Sequence, residues 1–172
     1  DAAGAKLLSD ALRSNTHLEV VDLAQNSIGD GGAAALGDAL GAAAGLGSAV
    51  HTLRLEVNEI GASGVAALCE GLIRAGDRTD GAGRGAGLRR LHLSQNYFGG
   101  GVGATALAQL LVSSSHGAGP APPLEVLSIA AVRLGDAGAM TIAAAMQRNA
   151  HLVALQLYDN KIGDAGAASL AS

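Results

Sequence analysis

The 172 residues predict an α/β solenoid. Three observations carry this reading. A twelve-residue pattern returns five times along the chain, and each copy is followed by an Ala-rich stretch. The apolar spacing switches from two inside each copy to helical spacing after it. Glycine, 26 residues in all, recurs at a fixed phase of the pattern. A unit of this size cannot bury its own apolar face, so it must stack on its neighbours.

The elements follow in order. The chain opens inside an amphipathic stretch, Gly4 to Leu8 with Leu12 one turn on. The first copy is Leu18 to Gly29, LEVVDLAQNSIG, followed by Gly32 to Leu36 with Leu40. The second is Val50 to Gly61, VHTLRLEVNEIG, followed by Gly64 to Leu68 with Leu72. The third and fourth are Leu88 to Gly99, LRRLHLSQNYFG, and Leu124 to Gly135, LEVLSIAAVRLG. The fifth is Leu152 to Gly163, LVALQLYDNKIG, and the chain stops inside Gly166 to Leu170. In LRLEV the period of two sends Leu53 and Leu55 inward, and Thr52, Arg54 and Glu56 to the other face. Residues four apart, such as Leu36 and Leu40 or Ile142 and Met146, form the inward stripe of each helix.

Asn26, Asn58, Asn96 and Asn160 stand where each strand must turn. An amide side chain both donates and accepts, so these residues are expected to form a structural ladder that satisfies backbone groups at the bend. Ile28, Ile60, Phe98, Leu134 and Ile162 then return the chain to the core. The Gly after each supplies freedom in φ for the turn.

The frame L-x-x-L-x-L-x-x-N-x-I-G resembles that of the leucine-rich repeat family, in its long, ribonuclease-inhibitor-like class. Ran GTPase-activating proteins and the repeat domains of NOD-like receptors belong to the same class. The resemblance covers essentially the whole chain and implies an α/β leucine-rich-repeat solenoid, a horseshoe with a concave parallel β-sheet on its inner side and convex α-helices outside. Both ends lack a polar capping repeat, so residues 1–172 are expected to be a single array of about five repeats, a slice of a longer one.

The repeats are unequal. Extra length falls around 41–49, 73–87 and 113–123, always between a helix and the next strand, where it would project from one rim. Tolerated surface expansion explains such loops, since added length costs little closure entropy; a binding loop on that rim is the alternative. Val132 replaces the fourth Asn, which predicts a locally weaker ladder, by about 1–3 kcal/mol if a backbone group stays dry. One extra residue near Gly99 to Gly103 is expected to shift the start of the third repeat's helix.

Composition and motifs argue against several function classes. Eleven Lys and Arg against 15 Asp and Glu give a net charge of −4, which supplies no positive field for phosphates. Two Tyr, one Phe and no Trp offer no platform for stacking bases. The best candidate for a membrane span, Gly31 to Val50, is mostly Ala and Gly and carries Asp38 at its centre, at a cost of about 2.5–3.5 kcal/mol. Gly99 to Ala104 fits G-x-G-x-x-A, yet the repeat already accounts for those glycines and no acidic residue ends the next strand. Gly81 to Gly87 precedes a strand and lacks Lys-Ser/Thr, so it is not a phosphate loop. No cofactor or metal is therefore expected. His17 and His151, at helix ends, suit capping roles; His51 enters a strand and His116 lies in a loop. Cys69, beside Leu68 with no basic neighbour, reads as an inert thiol. The single cysteine and the absence of any Asn-x-Ser/Thr acceptor fit a cytoplasmic, intracellular setting.

The outward strand face is where the copies stop resembling one another. Its columns are Asp22, Arg54, His92, Ser128, Gln156; then Ala24, Glu56, Ser94, Ala130, Tyr158; and, flanking, Val20, Thr52, Arg90, Val126, Ala154. Asp22, Arg54 and Glu56 can neutralise one another as cross-strand pairs. As contacts to a protein partner, Asp22, Arg54, Glu56, Arg90, His92 and Tyr158 are the candidates, with Arg and Tyr favoured at interface centres. The expected function is a non-catalytic protein-interaction scaffold, monomeric within a larger chain, with no nucleic acid and no membrane as partner. The family resemblance also implies two alternatives, a GTPase-activating repeat domain and a ligand-sensing segment of a NOD-like receptor. No motif maps the former's arginine here; Arg54 or Arg90 would be guesses.

Overall fold

The computed structural model describes residues 1–76, 87–113 and 124–172. Among the described residues six α-helices alternate with five three-residue strands: α1 (Ala2–Leu12), β1 (Val20–Asp22), α2 (Gly29–Ala43), β2 (Thr52–Arg54), α3 (Ala62–Gly76), β3 (Arg90–His92), α4 (Ala104–Ser113), β4 (Val126–Ser128), α5 (Gly135–Met146), β5 (Ala154–Gln156) and α6 (Asp164–Leu170). The strands form one parallel sheet in chain order. Its register stacks Val21, Leu53, Leu91, Leu127 and Leu155 in one row. Leu53, Leu91 and Leu127 are fully buried, as are Leu55, Leu93 and Ile129 two residues on. They meet Leu36, Leu68, Leu107 and Ile142 from the helices in one continuous core. This is the α/β solenoid that the repeat predicts.

The Asn ladder works between repeats rather than within one. Asn58 Oδ1 accepts from the backbone N–H groups of Asn26 and Ile28 (3.0 and 3.3 Å), and its Nδ2 donates to Leu23 O and Glu56 O (2.7 and 3.1 Å). Asn96 repeats this toward Asn58 and Ile60, and Asn160 toward Val132 and Leu134. Each amide thus ties its own turn to the preceding one. Val132, buried in the gap, cannot continue the series. The N–H groups of Asn96 and Phe98, which an Asn at 132 would accept, have no acceptor among the described residues. The rung keeps a backbone link, Gly99 N–H to Val132 O at 2.9 Å.

The turn glycines divide into two kinds. Gly29, Gly99 and Gly135 adopt φ of +63, +62 and +63°, and their N–H groups donate forward to Asn58, Val132 and Asn160 carbonyls at 2.9 Å each. Gly61 and Gly163 are not among the positive-φ residues, contrary to a uniform turn. Their N–H groups donate backward instead, to Asp30 Oδ1 (2.5 Å) and Asp136 Oδ1 (2.7 Å). Asp30 also accepts from Ser63 Oγ, and Asp136 from Gly166 N–H at 3.1 Å. A carboxylate in the first turn of one helix therefore caps the start of the next repeat's helix.

Other expectations need correction. The stretch 41–49 is not all loop: Gly41 to Ala43 close α2, and Ala44–Leu46 form a 3₁₀ turn. Of 73–87 and 113–123, most residues, His116 among them, lie outside the described residues. The extra residue of the third repeat makes a wide turn over Gly99–Gly103, interrupted at Gly101 (φ −88°, ψ −114°), before α4 begins. Its glycines are packing contacts: a Cβ on Gly100 would meet the Leu134 carbonyl and Gly138, and one on Gly103 the Phe98 ring. The capping roles expected of His17 and His151 belong to their neighbours. Asn15 Oδ1 accepts from His17 and Leu18 N–H, and Asn149 Oδ1 from His151 and Leu152 N–H, because the shorter side chain can fold back on its own turn.

Candidate functional site

The residues that differ between repeats come together because the strands are in register. Asp22, Arg54, His92, Ser128 and Gln156 are paired across all five strands, as are Val20, Thr52, Arg90, Val126 and Ala154. Backbone bonds just past the strands, such as Leu23 N–H to Arg54 O and Gln25 N–H to Glu56 O, carry the stacking on to the third column.

In the N-terminal half the column is an ionic cluster. Arg54 reaches Asp22 Oδ2 (3.5 Å) through Nη1 and Glu56 Oε1 (3.3 Å) through Nη2. His92 Nδ1 lies 3.9 Å from the same Glu56 oxygen. Arg54 and Asp22 are half-exposed, while the Glu56 side chain is 18% exposed. Water screens the first pair, so its net worth is about 0–1 kcal/mol. Glu56 Oε2 is buried without a hydrogen-bond partner among the described residues, which makes Glu56 the pivot of the cluster.

The C-terminal half is a directed relay of neutral groups. Ala130 N–H donates to Ser94 Oγ (3.0 Å), and Ser128 Oγ donates to Gln156 Oε1 (2.7 Å). Ser128 has one proton and gives it to Gln156, so Ser94 is the donor in the 2.7 Å contact between the two hydroxyls. Ser94, Ser128 and Ala130 are buried although they belong to the outward columns. Small side chains on the inner side of a curved sheet are recessed between their neighbours, and an alternation of period two does not reveal that.

Arg90 and Tyr158 are the candidates left open. Arg90 is exposed and makes no ion pair among the described residues, whereas its neighbour Arg89 is held by Glu125 at 2.5 Å. Tyr158 is 65% exposed. Thus Asp22, Arg54, Glu56 and His92 contact one another, and Arg90 and Tyr158 stand apart from them. Asn26, Asn58, Asn96 and Asn160 are scaffold. A further exposed row, the residues after the ladder positions, lies outside the strand columns, and there Arg133 lies 5.3 Å over the Tyr97 ring. The signal was available in the change from Ser27 and Glu59 to Arg133 and Lys161 along that row.

Burial pushes the Cys69 thiol up to about 12; at 1% exposure it is protonated and shielded at neutral pH. No group of three His, Cys, Asp or Glu among the described residues is arranged to hold a metal ion, and no helix among them is long and apolar enough to cross a membrane.

The sequence model of the leucine-rich repeat matches residues 14–37 and 148–171. Ribonuclease inhibitor of Sus scrofa is 32% identical over 164 residues, covering 95% of this chain and 32% of that protein. The chain therefore spans about a third of the length of this curated relative. In fold, the chain is similar to a tropomodulin C-terminal domain solved in a structural-genomics study of Caenorhabditis elegans. The TM-score is 0.64 at 17% sequence identity, over 97% of this chain and 89% of that one.

Proposed function

Because this chain is a leucine-rich repeat protein of the ribonuclease-inhibitor-like kind, we propose that it is a non-catalytic scaffold binding a protein partner on the concave face of its sheet. Leucine-rich repeat proteins generally mediate protein–protein interaction. The observation that carries the finer reading is the contrast between faces: inward rows repeat the same aliphatic residues, while the outward columns vary from strand to strand and carry Asp22, Arg54, Glu56, Arg90, His92 and Tyr158. A scaffold needs none of these six residues in its core. Ladder and core hold the face rigid, so binding loses little backbone entropy. Arg90 and Tyr158, exposed and without an ion-pair or side-chain hydrogen-bond partner among the described residues, supply the anchors. Arg54 is already engaged by two carboxylates, which argues against its use as an arginine offered to another protein's active site.

The buried unpaired thiol supports an intracellular site of action. Leu155, Leu157 and Ile162 are only partly buried where their counterparts Leu127, Ile129 and Leu134 are buried, which supports the reading of these repeats as part of a longer array.

The test is affinity capture from source lysate with the wild-type chain and with Arg54→Glu, Arg90→Glu, His92→Glu, Tyr158→Ala combined, both shown folded by circular dichroism. A protein recovered by the wild type and lost by the variant supports the concave site. Equal recovery contradicts it.

A further inference from the structure

The residue after each ladder position has no duty in the scaffold. These residues are Ser27, Glu59, Tyr97, Arg133 and Lys161, and all five are exposed. They stand on successive rungs, because the turns before them are bonded one to the next. At four of them φ is positive: 47° at Ser27, 58° at Glu59, 64° at Arg133 and 53° at Lys161.

Charge changes along this row. At its start Glu59 accepts a hydrogen bond from Ser27 Oγ at 2.9 Å. In the middle Tyr97 is 61% exposed, with the Arg133 guanidinium stacked over its ring. At the end is Lys161, which has no carboxylate partner among the described residues. Arg13, Arg54, Arg74 and Arg89 are each paired with a carboxylate of the chain; Arg133 is paired with a ring instead. A guanidinium stacked on an aromatic face has restricted torsions and an open N–H edge, ready for a bidentate carboxylate. Asp159 is the acid of the same stretch, exposed on the last turn and in no ion pair with Lys161. The aromatic content points the same way. The chain has one Phe, which is buried, and two Tyr. Both tyrosines are exposed on the last three rungs.

We propose that the turn rim of the third to fifth repeats, formed by Tyr97, Arg133 and Lys161 with Tyr158 on the last repeat, docks an acidic extended peptide segment of a protein partner. The proposal needs the array to be a protein-binding scaffold and shares Tyr158 with the concave site, but its charged residues, Arg133 and Lys161, are separate from Arg54, Arg90 and His92, so charge variants of the two sets make the two readings fail separately. Carboxylates of the segment would meet Arg133 and Lys161, and its apolar atoms the tyrosine rings.

The experiment is fluorescence anisotropy with labelled octaglutamate and octalysine peptides at about 50 mM salt, where exposed charges are least screened. The proteins are the wild type, Arg133→Glu/Lys161→Glu, the milder Arg133→Gln/Lys161→Gln, and Arg54→Glu/Arg90→Glu. The expected result is binding of octaglutamate alone, weakened about tenfold or more by the charge reversal and less by the Gln pair. The Arg54/Arg90 variant should stay within about twofold of wild type. No binding of octaglutamate, equal binding by the folded rim variants, or a loss confined to the Arg54/Arg90 variant would each overturn the proposal.

Discussion

Replacing Asn96 by Ala removes the most connected side chain of the ladder. Asn96 is fully buried. Its Oδ1 accepts from Asn58 N–H (3.1 Å) and Ile60 N–H (2.9 Å), and its Nδ2 donates to Leu55 O and Leu93 O, both at 2.8 Å. The substitution leaves two buried N–H groups without an acceptor, at about 1–3 kcal/mol each. The two carbonyls add less, since a carbonyl has a second lone pair. The expected total is about 3–5 kcal/mol, or roughly 10 °C in Tm for a chain of this size. Asn26 is the internal control. It is exposed, its Nδ2 donates to Leu23 O and Ala24 O, and its Oδ1 receives no N–H among the described residues. Leu23 O is served by Asn58 as well, so Asn26→Ala should cost about 1 kcal/mol or less. Urea unfolding followed by circular dichroism measures both. If Asn96→Ala costs no more than Asn26→Ala, the ladder does not hold the repeats together and the energetic account fails.

Three further outcomes follow from the packing and caps. A Cβ on Gly71 would strike the Gly37 carbonyl, so Gly71→Ala should destabilise by about 1–3 kcal/mol. Gly31→Ala, with nothing within 4 Å, should stabilise α2 by about 0.5–1 kcal/mol through helix propensity; thermal melts of the pair give opposite signs. Asp30→Ala removes the cap on the start of α3 and should lower stability by about 1–2 kcal/mol in urea titrations, with Asp30→Asn in between. Cys69 should resist a thiol reagent at pH 8 until the chain unfolds. Its thiol is ordinary, 9.0, when unfolded and about 12 when folded. Its contribution is therefore intact below pH 9 and lost progressively as pH rises from there toward 12, by about 1.4 kcal/mol per pH unit. Cys69→Ala should flatten the fall in stability between pH 9 and 10.

What was legible in the sequence is what each repeat does for itself. The leucine rows, the turn at each Asn and the columns of the sheet all follow from periods of two and 3.6 within a short window. What one repeat does for the next was not legible. Asp30 caps a helix more than thirty residues on, Gly37 makes room for Leu68, and Asn58 serves Leu23. These partners are set by the pitch of the solenoid, which local periodicity does not contain. The outward face shows the same limit. Its columns were readable, but the recess of Ser94, Ser128 and Ala130 depends on how the sheet curves, and the stacking of Arg133 on Tyr97 joins two turns in different repeats.

In the proposed function the outward face of the sheet, and not the helices, meets the partner. Site-specific photocrosslinking tests it most directly: a benzophenone amino acid is placed in turn at Arg90 and Tyr158 on the sheet face, and at Met140 and Val102. The last two are exposed at 50% and 62%, on α5 and on the wide turn before α4. Irradiation with source lysate should give a discrete protein adduct from positions 90 and 158 and none from 140 and 102. Adducts from 140 or 102 alone would put the partner on the helical side and overturn the concave site.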